Sequence, residues 1–488
     1  MSYIKIYNKD LMPIGVISTD SIEVVENGER YAKIKNAEGL ILGAINIDSE
    51  ISPSEIQRLV TIYNEKMIPV GFADIANVMP KHDYSKDYFT TEALENGTIA
   101  FNIWKNMGTD LITSISYSMD NGETWTTVNN ENNKEENLQI EVDVEEGDKI
   151  LWKCTAQQLG FYDEDEDYDE IVGSFFSSTC DFNAYGNVMS MLYGDNFSGR
   201  KTLSYAGIFA YLFKDYNSEQ TCFIKNASNI SLSATTLAQN CYSHMFAGCT
   251  SLTAAPELPA TTLAQACYNS MFVGCTSLTS APELPATTLV EYCYDNMFRG
   301  CTSLTSAPEL PATTLASSCY VSMFQGCTSL TTAPELLATT LAQSCYSSMF
   351  YDCTSLTAAP ELPATTLVQS CYNSMFYGCT SLTTAPELPA TTLANYCYQS
   401  MFQGCTSLIT ASELPATTLV ERCYASMFYG CTSLNYIKAL FTTTPSNSYT
   451  SNWVKDVAAN GTFVKSKDAT WSVVGNNGVP TGWTIETA

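Results

Sequence analysis

Leu258-Pro-Ala-Thr-Thr-Leu-Ala-Gln-Ala-Cys-Tyr-Asn-Ser-Met-Phe-Val-Gly-Cys-Thr-Ser-Leu-Thr-Ser-Ala-Pro-Glu283 is one 26-residue unit, and residues 237–434 repeat it eight times with little change. Cys241 and Cys249 open two cysteine columns that return every 26 residues as far as Cys423 and Cys431. A fixed period in this range predicts a solenoid, in which each unit buries its apolar face only against its neighbours. Solenoids present long recognition surfaces, so the repeat points to binding before any catalytic motif is sought.

Inside the unit, Leu263, Cys267, Met271 and Cys275 fall four residues apart, the spacing of one helical stripe, and Tyr268 and Phe272 widen it. The expectation is a short amphipathic helix with Thr261 or Thr262 as its N-cap and Gly274 as a left-handed terminator. Asp352 stands once in the glycine's place, and Asp is one of the few residues that tolerate that conformation. A short extended arm follows, with Leu278 and Ala281 inward. Pro282 and Pro285 limit it to a few residues, because proline gives no donor to a ladder. The fold class expected is therefore α+β, a strand-plus-helix repeat behind β-rich N-terminal domains.

These residues resemble a known family. Met-Phe-x-Gly-Cys-Thr-Ser-Leu-Thr-x-Ala is similar to the leucine-rich repeat of bacterial surface antigens, the BspA-like or treponemal type. That repeat has Ala-Phe-x-x-Cys-x-x-Leu-x-x-Ile and an Ile-Pro arm. Here Met replaces that Ala and each unit is a few residues longer. The resemblance spans residues 205–440. The flanks, Tyr185 to Phe197, Thr462-Phe-Val-Lys465 and Gly478 to Trp483, resemble companions of this repeat in proteins of gut Bacteroidales and their phages. The resemblance implies adhesion or ligand capture, not turnover.

Outside the repeats, residues 186–236 read as a degraded first unit and N-terminal cap, with Leu212-Phe213 in the Met-Phe place. Residues 237–440 are the repeats, and 441–488 a β-rich, Trp-bearing C-terminal cap. Residues 84–185 alternate as strands between Gly and Asn turns and predict a small β-sandwich. Residues 1–83 read as a small α+β domain whose sharper role would be anchoring on a larger assembly. Its helix would begin at the capping box Ser52-Pro-Ser-Glu55, with Ile56, Leu59, Val60 and Tyr63 on the apolar face.

Of 488 residues, 51 are Asp or Glu and 23 Lys or Arg, a net charge of −28. That balance disfavours nucleic acid and anionic membrane as partners, since phosphate binding needs a cationic patch. Met1-Ser-Tyr-Ile-Lys-Ile-Tyr-Asn-Lys-Asp10 has no apolar core and no small-residue cleavage site, and Leu40 to Ile45 is too short to span a bilayer. The expectation is a soluble chain outside the general secretory route. Sixteen of 19 cysteines lie in the repeat columns, where they read as small, reduced core groups and not as a disulfide scaffold. No Cys-x-x-Cys pair exists, and only Cys241 has a nearby histidine, His244, so no zinc site is expected.

Ser118-Met-Asp-Asn-Gly-Glu-Thr-Trp125 matches the Asp-box familiar from sialidases. Its chemistry is local: Asp and Gly shape a hairpin turn and Trp packs beneath it. A single box without an arginine cluster does not make a sialidase. The run Asp163 to Glu170 starts like a calcium loop but has Tyr168 and Ser174 where the EF-hand needs Gly and Glu. No nucleophile elbow, P-loop, zincin or dinucleotide fingerprint occurs. Neither catalytic residues, nor a metal, nor a cofactor are expected.

The informative repeat positions are those that vary. After Met-Phe stand Ala247, Val273, Arg299, Gln325, Tyr351, Tyr377, Gln403 and Tyr429; before Cys-Tyr stand pairs such as Glu291-Tyr292, Asn395-Tyr396 and Glu421-Arg422. Tyr suits a binding surface because it offers area and a hydroxyl at low entropic cost. One exposed column is constant: Glu257, Glu283, Glu309, Glu335, Glu361, Glu387 and Glu413. The candidate surface is Arg299, Tyr351, Tyr377 and Tyr429, with Glu283, Glu309, Glu335, Glu361 and Glu387 as a second, anionic line. The expected function is non-enzymatic recognition: a phage fibre, decoration or receptor-binding component, assembled in the bacterial cytoplasm and resident in the virion. A bacterial surface adhesin and a disfavoured carbohydrate-active enzyme are the rivals. Partners would be a protein or glycan on a cell surface, and other virion proteins through the N-terminal domain, with no membrane insertion; self-association stays open.

Overall fold

The computed structural model describes residues 82–104, 112–130, 138–163, 170–214 and 223–488, with backbone alone at 161–163 and 170–171, and the backbone of seven strands within residues 1–81. The chain divides into two compact units, Met1–Asp83 and Tyr84–Ala488. It is rich in strands and has very little helix. The single α-helix among the described residues is α1, Ser190–Tyr193.

The first unit is one antiparallel sheet of β1 (Tyr3–Tyr7), β2 (Pro13–Ser18), β3 (Ile22–Val24), β4 (Arg30–Lys35), β5 (Ile41–Asn46), β6 (Leu59–Tyr63) and β7 (Pro69–Asp74), in the order 2-1-7-6-5-4-3. The capping box at Ser52 lies outside the described residues. Leu59, Val60 and Tyr63, assigned above to a helical face, belong instead to β6, which pairs along its length with β7. After Leu59 the strand is β-branched and aromatic, Val-Thr-Ile-Tyr, and strand pairing outweighs the four-residue spacing there.

The second unit begins with two facing sheets. One contains β8 (Phe89–Ala93), β10 (Ile112–Ser118), β11 (Thr126–Asn129), β13 (Lys149–Ala156), β17 (Phe182–Asn187) and β18 (Ile224–Ser231), in the order 11-10-13-8-17-18. The other is β12 (Leu138–Val144), β9 (Gly97–Ile103) and β16 (Phe175–Ser178), while β14 (Gly160–Asp163) and β15 (Glu170–Gly173) pair with each other. Phe176 seals the space between them, 5.3 Å from Phe89, 4.8 Å from Phe101 and 5.4 Å from Trp152 by ring centroids. The Asp-box closes the β10–β11 hairpin. Asp120 accepts from Ser118 Oγ at 2.7 Å, from the Thr124 N–H at 2.8 Å and from the Thr124 hydroxyl, while Trp125 Nε1 donates to Gly122 O at 3.2 Å. Asn121 and Gly122 take positive φ, as such turns demand.

The sandwich core runs on into the repeats. Phe176 stacks on Phe213 at 5.8 Å and Phe213 on Phe246 at 4.9 Å. Phe246, Phe272, Phe298, Phe324, Phe350, Phe376, Phe402 and Phe428 then form one file at 5.4–5.7 Å. A parallel file of buried tyrosines runs from Tyr242 to Tyr424 at 5.7–5.9 Å. β18, paired in parallel with β17, touches the first arm through Asn226 and Ala254. The arms themselves meet as isolated parallel bridges such as Thr332–Ala358 and Thr366–Thr392, where the prolines permit no longer ladder.

The helix expected in each unit is absent. Residues 265–274 are consecutive turns, with Ala266, Ser270 and Gly274 at φ of 52°, 54° and 73°. The backbone shows why. Cys267, Asn269, Met271, Val273 and Cys275 donate their N–H three residues back, closing turns. Ala266, Tyr268, Ser270, Phe272 and Gly274 donate to Glu291, Cys293, Asp295, Met297 and Arg299 of the next unit at 2.7–3.1 Å. A helix would spend every N–H internally and leave only side chains to hold neighbours together. Here alternate N–H groups hydrogen-bond the next unit.

Left-handed residues recur every four positions, the same step as the inward-facing side chains. Their three columns hold Ser, Asn, Ala, Tyr, Arg, His, Gly and Asp352 but no β-branched residue, as sterics require. The thiols add a further tie: Cys301 Sγ donates to Phe272 O at 3.2 Å, and the contact repeats to Cys431 and Phe402 at 3.0 Å.

The same coil continues past the repeats in sequence. Arg422, Ser426, Phe428 and Gly430 bond to Ser448, Ser451, Trp453 and Lys455. Asn452 and Asp456 take the left-handed places. β19 (Tyr436–Ala439), β20 (Thr462–Lys465) and β21 (Thr484–Thr487) finish the stack as a parallel sheet. Trp453, Trp471 and Trp483 each find a carbonyl, at Gly478, Phe441 and Ala458, within 3.1 Å.

Candidate recognition surface

Because each turn is bonded to the next unit, variable side chains are held one above another. Gly326 N–H donates to Tyr351 O and Asp352 N–H to Tyr377 O, both at 2.7 Å. The side chains that follow Met-Phe therefore line up. Tyr351 and Tyr377 stack with centroids 4.3 Å apart and planes 2° from parallel. Both are half-buried, and Tyr351 has a raised pKa from burial and from Tyr377 beside it. Tyr429 is half-buried under Lys455, whose Nζ lies 5.0 Å from its ring. Arg299 is exposed. The structure thus brings Tyr351 and Tyr377 into contact and places Arg299 and Tyr429 on the same file but in other units.

A second file holds the pairs before Cys-Tyr. Tyr292 is 38 % exposed. Tyr396 donates its hydroxyl to Glu421 Oε1 at 2.7 Å. Between the two files lies a cluster the sequence reading missed. Asn269 and Asn296 donate their amides to Asp295 at 3.0 and 2.7 Å. Burial pushes the Asp295 carboxyl up to about 7, against the opposing pull of Asn269 and Arg299. The available signal was that Asp295 is the sole carboxylate in its column, which otherwise holds Ser, Asn, Val, Gln and Ala.

The glutamate column runs along the arms. Glu257, Glu283, Glu309, Glu335, Glu361 and Glu387 are exposed, and Glu413 at its end pairs with Lys438 at 2.7 Å. At the Asp-box, hydrogen bonds from Thr124 and Ser118 lower Asp120 to about 2. Lys153 sits 3.9 Å over Trp125 and pairs with Asp195 at 2.8 Å. Those groups satisfy one another and hold the hairpin. The acidic run centred on residues 164–169 lies outside the described residues.

The described cysteines are free and buried. Burial raises their thiols, to about 11 at Cys371 and Cys423 and about 12 at Cys241 and Cys327. His244 stacks on Tyr211 at 4.7 Å, and burial lowers it to about 4. Among the described residues no group of three or more His, Cys, Asp or Glu is placed to hold a metal, and no helix is long and apolar enough to cross a membrane.

A family model described as a BspA type leucine rich repeat region, in six copies, matches residues 217–357 and 322–455. Residues 217–455 are a BspA-like leucine-rich repeat region. The match reaches Lys455, the residue that closes the last turn bonded to Gly430. No curated protein matches the chain. A BspA-type repeat region suggests a role in surface adhesion and protein binding, and the family is in general not enzymatic.

Proposed function

We propose that this chain is a non-enzymatic recognition protein whose repeats form a solenoid and whose turn face is the binding surface. The observation that carries the reading is the contrast within each turn. Inner residues are invariant, buried and stacked, while outward residues change identity from unit to unit on one bonded frame. Arg299, Tyr351, Tyr377 and Tyr429 are the side chains we assign to contact, with a protein or glycan on a cell surface as target. The setting we propose is a phage virion, the first unit docking the chain among other virion proteins. Buried free thiols that donate to main-chain carbonyls suit assembly in a reducing cytoplasm.

The second reading, a bacterial surface adhesin, is favoured by the family match itself. Mass spectrometry of purified virions, beside peptides shaved from intact host cells, separates the two. Recovery from virions supports the first, and recovery from shaved cells alone the second. Binding of the purified protein to host cells, lost in a Tyr351→Ser, Tyr377→Ser variant that still melts normally, tests the surface.

A further inference from the structure

Beyond the turn face, the arms carry a groove of about 410 Å³ that spans residues 307–311 and 332–337. One sequence departure marks it. Where the other arms have Pro259, Pro285, Pro311, Pro363, Pro389 and Pro415, this one has Leu337. Leu337 is 48 % exposed, among the most exposed large apolar side chains described. Glu335 and Leu337 are exposed while Leu336 and Ala338 are buried, the alternation of an extended segment, so the carboxylate and the leucine point to one side. Glu309 and Pro311 present the same pair one arm away, and Ala307 and Ala333 help line the space between.

The chain itself shows what this column accepts. At its end Lys438, on the next arm, places its ammonium 2.7 Å from Glu413. Among the described residues Glu309 and Glu335 have no such partner. An apolar side chain exposed beside two unneutralised carboxylates, on a chain of net charge −28, is complementary to a ligand that is basic and aliphatic at once.

We propose that this groove docks an extended segment of another protein in which a Lys or Arg stands two residues from an aliphatic side chain. In an extended segment residues i and i+2 share a face. The basic group then pairs with Glu309 or Glu335 as Lys438 pairs with Glu413, while the aliphatic group covers Leu337. A polyanion is repelled by the same two carboxylates.

The probe is a fluorescein-labelled Lys-Ser-Leu-Ser-Lys peptide, blocked at the C-terminus, followed by anisotropy on the full chain. Saturable binding is expected, weakened about tenfold or more by Leu337→Pro and by Glu309→Gln with Glu335→Gln. Leu337→Pro restores the residue that the other arms carry, so its fold should hold, and a thermal melt confirms this. A Tyr351→Ser, Tyr377→Ser variant should bind the peptide normally, which separates this groove from the turn face. Absence of saturable binding overturns the proposal. So does binding that Leu337→Pro leaves intact, or equal binding of Lys-Ser-Ser-Ser-Lys, which would show charge alone at work.

Discussion

Tyr351 and Tyr377 lie face to face, 4.3 Å between centroids, closer than any pair in the buried tyrosine file behind them. The buried rings keep 5.7–5.9 Å because the packed coil sets their spacing. The outer rings are free to close up. A double-mutant cycle with Tyr351→Ala and Tyr377→Ala should give a coupling of about 0.5–1.5 kcal/mol, the usual worth of an aromatic pair. Additive losses in chemical denaturation would show that the rings do not touch in solution.

The thiols should be unreactive until the fold opens. Their raised values leave little thiolate at pH 8, and burial blocks access. Iodoacetamide under native conditions should label few of the sixteen repeat cysteines, and most of them in denaturant. Disulfide-linked peptides from adjacent units of native protein would overturn both this and the cytoplasmic assembly proposed above.

Phe298 is fully buried between Phe272 and Phe324. Phe298→Ala should cost about 3–5 kcal/mol. In a stacked array the damage should stay near residues 272–324. Hydrogen exchange that loosens the sandwich core around Phe176 as much as the central repeats would contradict local stacking.

Asp295 should make stability depend on pH. Its folded value is raised to about 7, above the ordinary carboxyl value, so the folded state holds a proton that the unfolded chain has lost. The contribution is present in full below the unfolded value and is lost as pH rises through about 7. The melting temperature should therefore gain from Asp295→Asn at pH 8 and hardly change at pH 4. An equal effect at both values would remove Asp295 as the source.

The family and the stacking were legible because Cys, Tyr, Met and Phe return at one period, and a period is a geometric statement. The coil was not. Leu263, Cys267, Met271 and Cys275 are four apart, a spacing shared by a helix and by turns that advance four residues per inward step. What separates the two is the residue at the left-handed places: Ser fills most of the column of Ser270 and Gly that of Gly274, poor helix interior but good left-handed turn residues. Asp295 escaped because its meaning lies in Asn269, 26 residues away, and no local pattern announces a contact between units. The extra turn through Asn452 and Asp456 was hidden because Trp453 fills the space of Met and no cysteine marks the period there.

The glutamate column is the last feature with a measurable cost. Carboxylates about 5 Å apart repel by roughly 0.8 kcal/mol per neighbouring pair in water. Lys438 relieves the column only at Glu413. Replacing Glu335 and Glu361 by Gln removes the repulsion between them and that with their neighbours Glu309 and Glu387. The double variant should gain roughly 1–2 kcal/mol at low salt. Salt should shrink the gain, because exposed charges are screened over about 10 Å at 0.1 M. Magnesium and calcium should raise the melting temperature of the parent chain more than that of the variant. If neither the substitutions nor the ions move the melt, the side chains are splayed into water, and the column carries no strain for a basic partner to relieve.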